Sequence, residues 1–297
     1  MMSKSLPRII TTRDGKITTH KITWKVNPIP LAKYAEVVRR VRESRNYAKI
    51  DATGLQALKV DGITNDQIIS IRNVAIKDKI ISNYYRMNSH IGEVTRKYLK
   101  GVDILELSRY HDFPPRNLLR GILLKIGYSS RQIYSIFANK TSPDDLLSTR
   151  DWEQFHTADE HDAERTINQR EIAVVAASNE DAFVKFFVDH GIELVTQEFL
   201  VEKDMAEHGR AVNTPDILFV DTVFINDRRV HWIDYKDYVG TRTNFLYTSN
   251  KKQVGRYANA WGPGALCFHH NFVDNMKLPK TQMLDAGTLP IDLKMVN

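Results

Sequence analysis

The chain has 297 residues, 42% of them hydrophobic and 26% charged, the proportions of a globular protein with room for two domains of roughly 100–200 residues. That composition excludes a disordered, collagen-like or coiled-coil chain. No apolar run approaches the roughly 18 residues of a bilayer span, and the single Cys267 allows no internal disulfide. The net charge of +6 divides unevenly: residues 1–160 carry +10 and residues 161–297 carry −4. A basic half suits a polyanion and a mildly acidic half suits a cation, although such asymmetry is also ordinary.

The opening MMSKSLPRIITTRDGK has no apolar core of a secretory signal. With one cysteine, a reducing compartment is expected, nucleus or cytoplasm. Residues 9–26 read as a hairpin, with Asp14-Gly15 as the turn between two β-prone runs. After Pro28 and Pro30 the pattern becomes helical through LAKYAEVVRRVRESRNYAKI. Further helices fit NDQIISIRNVAIKDKIISNYYRM and SHIGEVTRKYL.

Residues 103–139 predict three short helices with tight connections. DILELSRY is the first, His111–Pro115 the break, and RNLLRGILLKI the second, ended by Gly127. Ser129 and Gln132 have capping-box spacing at the start of the third. The arrangement is that of a helix-turn-helix unit decorated by Arg116, Arg120, Lys125 and Arg131, which predicts contact with phosphate rather than base readout. It also describes a plain bundle with a solvated basic face. The polar residues 151–170 read as a linker or exposed helix, and His156 and His161 are wrongly spaced for one helical face.

The remaining sequence alternates. REIAVVAA suits a helix, and Ser178 and Asn179 can cap the next, EDAFVKFFVDH, closed by Gly191. IELVTQEFLV predicts a strand, ILFVDTVFI another, Asn226-Asp227 a turn, and RVHWIDYK a third strand. A helix is expected over about 249–260, then the turn Trp261–Gly264 and the strand ALCFHH. This order predicts an α/β domain with a mixed sheet.

Two positions carry chemistry. Asp216 follows Pro215 at the head of an apolar strand, and Asp234 and Lys236 end another. Strand alternation puts Val230, Trp232, Asp234 and Lys236 on one face and His231, Ile233 and Tyr235 on the other. Two carboxylates suit Mg²⁺, which prefers oxygen ligands. A metal lowers the pKa of its bound water, and a lysine can orient that water or stabilise developing charge. A strand-ending acid and an exposed cross-strand pair would give the same letters. His269-His270 reads as a packed or solvated pair, and Cys267 as core.

The stretch NTPDILF, VHWIDYK and QVGRYANAWGPG resembles the codanin-interacting nuclease family, or TPD-motif proteins, within the PD-(D/E)xK nuclease superfamily. The likeness runs over roughly residues 80–275 and includes DILELSRYHDFPPRNLLRGILL. It implies a helical, helix-turn-helix-like domain followed by a restriction-endonuclease-like α/β domain. The expected organisation is a hairpin extension over 1–27, a basic helical domain over 28–150, a linker over 151–170 and the nuclease-like domain over 171–297. The resemblance implies catalytic roles for Asp216, Asp234, Lys236 and Glu180, and Mg²⁺ or Mn²⁺ held by Asp216, Asp234 and the Tyr235 carbonyl. Family members carry Glu where this chain has Asp234. Gln253 and Tyr257 match a Q-x-x-x-Y element that positions nucleic acid or the site. Lys251, Lys252 and Arg256 flank it as phosphate contacts, beside an ordinary solvated face as the plainer reading. The expected function is a metal-dependent nuclease acting on DNA, with RNA left open. The alternatives are a weak or inactive nuclease-fold scaffold for a codanin-like partner in chromatin assembly, and a branched-DNA resolvase, which would call for a homodimer.

Overall fold

A computed structural model describes residues 6–139, 146–163 and 166–291, without the side chains of 139 and 166–172. Residues 164–165 of the expected linker and 292–297 of the expected second domain lie outside the described residues. In chain order the elements are β1 (Arg8–Asp14), β2 (Ile17–Thr23), α1 (Leu31–Ser44), α2 (Ala52–Leu58), α3 (Asn65–Leu99), α4 (Ile104–His111), α5 (Pro115–Lys125), α6 (Ser130–Asn139), α7 (Thr149–Glu160) and α8 (Thr166–Asp189). Then follow β3 (Leu194–Thr196), α9 (Gln197–His208), β4 (Ile217–Ile225), β5 (Arg228–Lys236), α10 (Asn244–Trp261), β6 (Gly264–Phe268), β7 (Thr281–Asp285) and a 3₁₀ turn, Ala286–Thr288. Among the described residues, no helix is long and apolar enough to cross a membrane.

The chain forms two compact units, one of residues 1–36, 60–71 and 174–297 and one of residues 37–59 and 72–173. These units cross the expected boundaries, because the hairpin and the first turns of α3 count with the α/β unit. Ser70 of α3 is buried and its Oγ accepts a hydrogen bond from Val239 N at 2.8 Å.

The helical unit is built on α4, α5, α6 and α7, whose buried Leu107, Leu119, Ile122, Ile136 and Phe155 share one core. The expected break at His111–Pro115 is present: Asp112 takes a left-handed φ of 48° and Pro115 opens α5. The capping box is also present. Ser129 N donates to Gln132 Oε1 at 2.9 Å and Gln132 N donates to Ser129 Oγ at 3.3 Å.

Three expectations fail here. The two predicted helices of 65–99 are one, because Ser89 Oγ donates back to Arg86 O at 2.7 Å instead of capping a new start. The expected linker contains α7, in which Phe155 and Ala158 are fully buried, so a polar sequence with few apolar anchors still packs. Arg116 is not a surface cation. It is buried, ion-paired to Asp159 at 3.0 Å and set over the Phe137 ring. Arg120 and Arg131 are exposed as expected, as is Lys125.

The α/β unit is a mixed sheet in the order β1-β2-β4-β5-β6-β7. β1, β2 and β4, β5 form antiparallel pairs; β2 joins β4, β5 joins β6 and β6 joins β7 in parallel. β3 shares with β2 the edge of β4 that faces away from β5. The hairpin is thus part of the sheet. His20 is buried and its Nε2 bonds Asp221 Oδ2 at 3.0 Å, while Trp24 Nε1 donates to Thr288 Oγ1 at 2.8 Å. Its turn is Gly15-Lys16 rather than Asp14-Gly15, since Asp14 pairs with Ile17 and Gly15 takes a φ of 56°, as the first position of a II′ turn requires.

Sequence alternation misjudged two further segments. α8 runs on through Ser178 and Asn179, because the buried Asn179 bonds His269 rather than capping a new helix. The predicted strand over IELVTQEFLV shrinks to β3, and Gln197 opens α9. Val230 joins the core containing Ile233 and Tyr235 instead of the opposite face with Trp232, where the β4–β5 register slips between Leu218 and Val223. Gly264 lets β6 lie against the Trp232 indole: a Cβ there would sit 2.1 Å from its Cε2. Trp232 Nε1 also donates to Gly262 O at 3.0 Å, so the strand and the glycine turn lock together.

Candidate active site

The β4–β5 hairpin builds the site. Asn226 and Asp227 both have positive φ, 49° and 60°, the two-residue turn that returns the chain antiparallel. The register Ile217↔Ile233 then sets Asp216 opposite Asp234. Both carboxylates are buried, at 4% and 1% exposure. Lys236, two residues beyond Asp234 on the same face, contacts Asp234 Oδ2 directly. The three residues read from sequence as one site therefore meet.

Each acid is held by specific donors. Asp216 Oδ2 accepts from Tyr235 N at 2.5 Å, and its Oδ1 accepts from Gln197 Nε2 at 2.9 Å. In an extended strand a residue's N–H and C=O point to the same edge. The Tyr235 carbonyl thus faces the Asp216 edge, as the expected third ligand must. Asp234 Oδ1 accepts from Gln253 Nε2 at 3.2 Å, and the same nitrogen donates to Tyr257 Oη at 3.0 Å. α10 presents both because Gln253 and Tyr257 are one helical turn apart.

The electrostatics are those of crowded acids. Burial, and then the charges of Asp234 and Glu180, push the Asp216 carboxyl well above its ordinary range. Burial raises Asp234 too, against the opposing pull of Lys236. Glu180 on α8 is raised by burial and by Asp234, so it belongs to the same electrostatic group. Burial works to lower the Lys236 ammonium, but Asp234 outweighs it and holds the charge on. Burial and the Asp234 charge push the Tyr257 hydroxyl up to about 12, so it stays protonated. Three carboxylates around one ammonium leave excess negative charge in a buried place, a donor set that fits a hard divalent cation.

The other predicted residues divide. Tyr257 is buried and lies against Asp234 and Trp232, on the site side of α10. Lys251, Lys252 and Arg256 are exposed on α10, and Arg256 is near enough for its charge to favour ionised Asp234. Gln197 is the residue that sequence reading missed. It sits inside a segment predicted as strand, and only the turn into α9 aims its amide at Asp216 and at Thr214 O, 3.2 Å away. His269 and His270 are a stacked pair as expected, with rings 4.2 Å apart, but Asp237 joins them.

Fold and site define an α/β unit with a carboxylate–carboxylate–lysine cluster at one end of its sheet; the chain's other unit is helical. Residues 148–286 are similar to the family described as "Protein of unknown function TPD sequence-motif", and this match supports the TPD-motif family for that stretch. The chain is also similar to "Uncharacterized protein L539" of Acanthamoeba polyphaga mimivirus, at 31% identity over 96 residues, which cover 31% of this chain and 35% of the relative. The match therefore spans about a third of that relative's length. No solved structure matches.

Proposed function

We propose that this protein is a metal-dependent nuclease of the PD-(D/E)xK type that hydrolyses phosphodiester bonds in DNA. The observation that carries the reading is the side-by-side burial of Asp216 and Asp234 with Lys236 in contact and Glu180 close by. Asp216, Asp234 and the Tyr235 carbonyl would hold Mg²⁺ or Mn²⁺. When bound, that ion supplies neutralisation of phosphate charge and a water of lowered pKa.

The chain's own residues prepare this chemistry. Tyr235 N and Gln197 fix the Asp216 carboxylate, leaving it no free rotation. Gln253 fixes Asp234 in the same way, and Tyr257 holds Gln253. These are positioning residues. Lys236 keeps its proton beside Asp234 and places a positive charge where a phosphate oxygen or attacking water would be oriented. The exposed Lys251, Lys252 and Arg256 supply backbone contacts on α10. Arg120 and Arg131 supply the same chemistry in the helical unit.

The test compares wild type with Asp234→Asn on labelled single-stranded, duplex, flap and four-way-junction DNA, each with Mg²⁺, Mn²⁺ or EDTA. Metal-dependent cutting that disappears in the variant is expected, and the preferred substrate defines the class. DNA bound but never cut, in any metal, would transfer the assignment to a nuclease-fold scaffold with a protein partner of the codanin type.

A further inference from the structure

The geometry points to a single-stranded nucleic-acid site on the helical unit, where α3 passes the end of α4, with Tyr110 and Tyr85 as stacking platforms among cations. As a substrate class it rests on the nuclease reading; the binding itself does not. Charge gives the kind of ligand. The helical unit holds 22 Lys and Arg against 16 Asp and Glu, whereas the rest of the chain balances at 20 and 20. The whole excess of +6 sits in one unit, the electrostatic footprint of a polyanion site.

Packing gathers part of that charge. Arg86, His90, Glu93 and Lys97 follow one another at three or four residues and share one face of α3. That face reaches the end of α4. Burial first, and then Lys97, hold the His111 imidazole below its ordinary value; Glu93 opposes them, and His90 and Arg86 add to the lowering. Lys97 Nζ lies 4.4 Å from the centre of the Tyr110 ring, and Glu93, the acid of the stripe, is taken by Lys97 at 3.0 Å. Arg86, His90 and Arg109 are exposed. Arg45 Nη1 donates to Arg109 O at 3.4 Å and adds a further cation.

The rings decide which polyanion fits. Tyr110 is 71% exposed and Tyr85 84%, with Tyr84 edge-on to Tyr85 at 5.7 Å. Each open ring stands with a cation: Tyr85 precedes Arg86 in the chain, and Tyr110 meets Lys97. From residue 85 to residue 97, α3 rises about 18 Å. That is the length of several stacked nucleotides at about 3.4 Å each. In a duplex the bases already stack on one another, and a surface tyrosine meets only sugar and phosphate. Unpaired bases stack on an open ring whatever their sequence, while the cations follow the backbone. Open rings set among cations therefore select single strand over duplex.

The experiment uses the full chain carrying Asp234→Asn, in EDTA, so that nothing is cut. Fluorescence anisotropy compares labelled oligo-dT, oligo-rU and a DNA duplex of equal length. We expect a single strand to bind more tightly than the duplex, and the tighter of dT and rU identifies DNA or RNA. Tyr110→Ala and Tyr85→Ala should each weaken the single strand about 5–150-fold and leave the duplex unchanged. Tyr110→Phe keeps the ring and should keep the affinity. Arg86→Ala should reduce the slope of log affinity against log salt by about 0.7, the share of one phosphate. Both tyrosines are exposed, so thermal melts of these variants should match wild type, and Tyr85→Ala decides if Tyr110→Ala fails to fold. Tighter binding of duplex, or an equal loss in Tyr110→Phe and Tyr110→Ala, overturns the proposal. Single-strand affinity unchanged in both alanine variants also overturns it and assigns this face to a protein partner. Tyrosine-dependent binding by a wild type that cuts in no metal would keep this site and remove the nuclease; cutting without tyrosine-dependent binding would do the reverse.

Discussion

In the helical unit the buried Arg116 guanidinium meets the buried Asp159 carboxylate at 3.0 Å, whereas in the α/β unit the buried Asp216 and Asp234 face each other with Lys236 as the cation in contact. The first region behaves as structure. Arg72 donates to Asn46 O and Ala48 O, and Asp112 takes Lys79 and the Tyr47 hydroxyl. The second region gathers like charges that raise one another's protonation. Burial without full compensation costs free energy that packing alone would not retain. The contrast separates ion pairs that hold a fold from the acids that we propose hold a cation.

The largest expected effect lies at the acids. Asp234→Asn should lower cleavage by on the order of 10³-fold or more while changing the melting temperature little, because relief of the repulsion with Asp216 and Glu180 offsets loss of the Lys236 contact. A melt and a cleavage assay on the same sample check both halves. A variant that cuts normally would end the active-site reading.

The matched region should respond in the opposite way. Asp159→Ala leaves the Arg116 charge buried without its carboxylate and should cost about 3–5 kcal/mol, read by urea unfolding. Loss of under about 1 kcal/mol would mean that Arg116 is held by something other than the pair.

Gly264→Ala should come next, at about 1–3 kcal/mol, because its Cβ falls on the Trp232 ring rather than on a flexible side-chain tip. The companion Gly255→Ala, with nothing near its Cβ, should be neutral or slightly stabilising. Equal effects at the two glycines would refute the role given to that contact.

The smallest effect is on pH dependence. Burial raises the Asp112 carboxyl, but hydrogen bonds from Lys79 and Tyr47 outweigh it and hold the group below its ordinary value. A depressed carboxylate contributes stability above its unfolded pKa and loses it as pH falls through the folded one. Lys79→Met should therefore flatten the acid limb of the stability curve by about 1 kcal/mol or less, with little change near neutrality in the slope. Thermal melts between acid and neutral pH measure this.

Much of the site was legible from the residues. Asp216, Asp234 and Lys236 could be grouped in advance, because strand alternation and a two-residue turn are local rules, but the register slip between Leu218 and Val223 that sets Asp216 opposite Asp234 was not legible. The β4–β5 hairpin, the capping box at Ser129 and the break at His111–Pro115 were legible for the same reason. Gln197 was not, because a β-prone run gave way to helix under tertiary packing. Arg116 was misplaced because helical spacing shows which residues share a face but not which face is covered. The Asp237, His269 and His270 group was invisible because it depends on which strand lies beside β5. The sequence by itself determined short-range geometry where a local rule acts alone: the Asn226-Asp227 turn, the Ser129 capping box and the acids at the strand ends. Only the tertiary structure decided which charges were matched by burial against a partner and which were left to repel, since that depends on contacts between residues far apart in the chain.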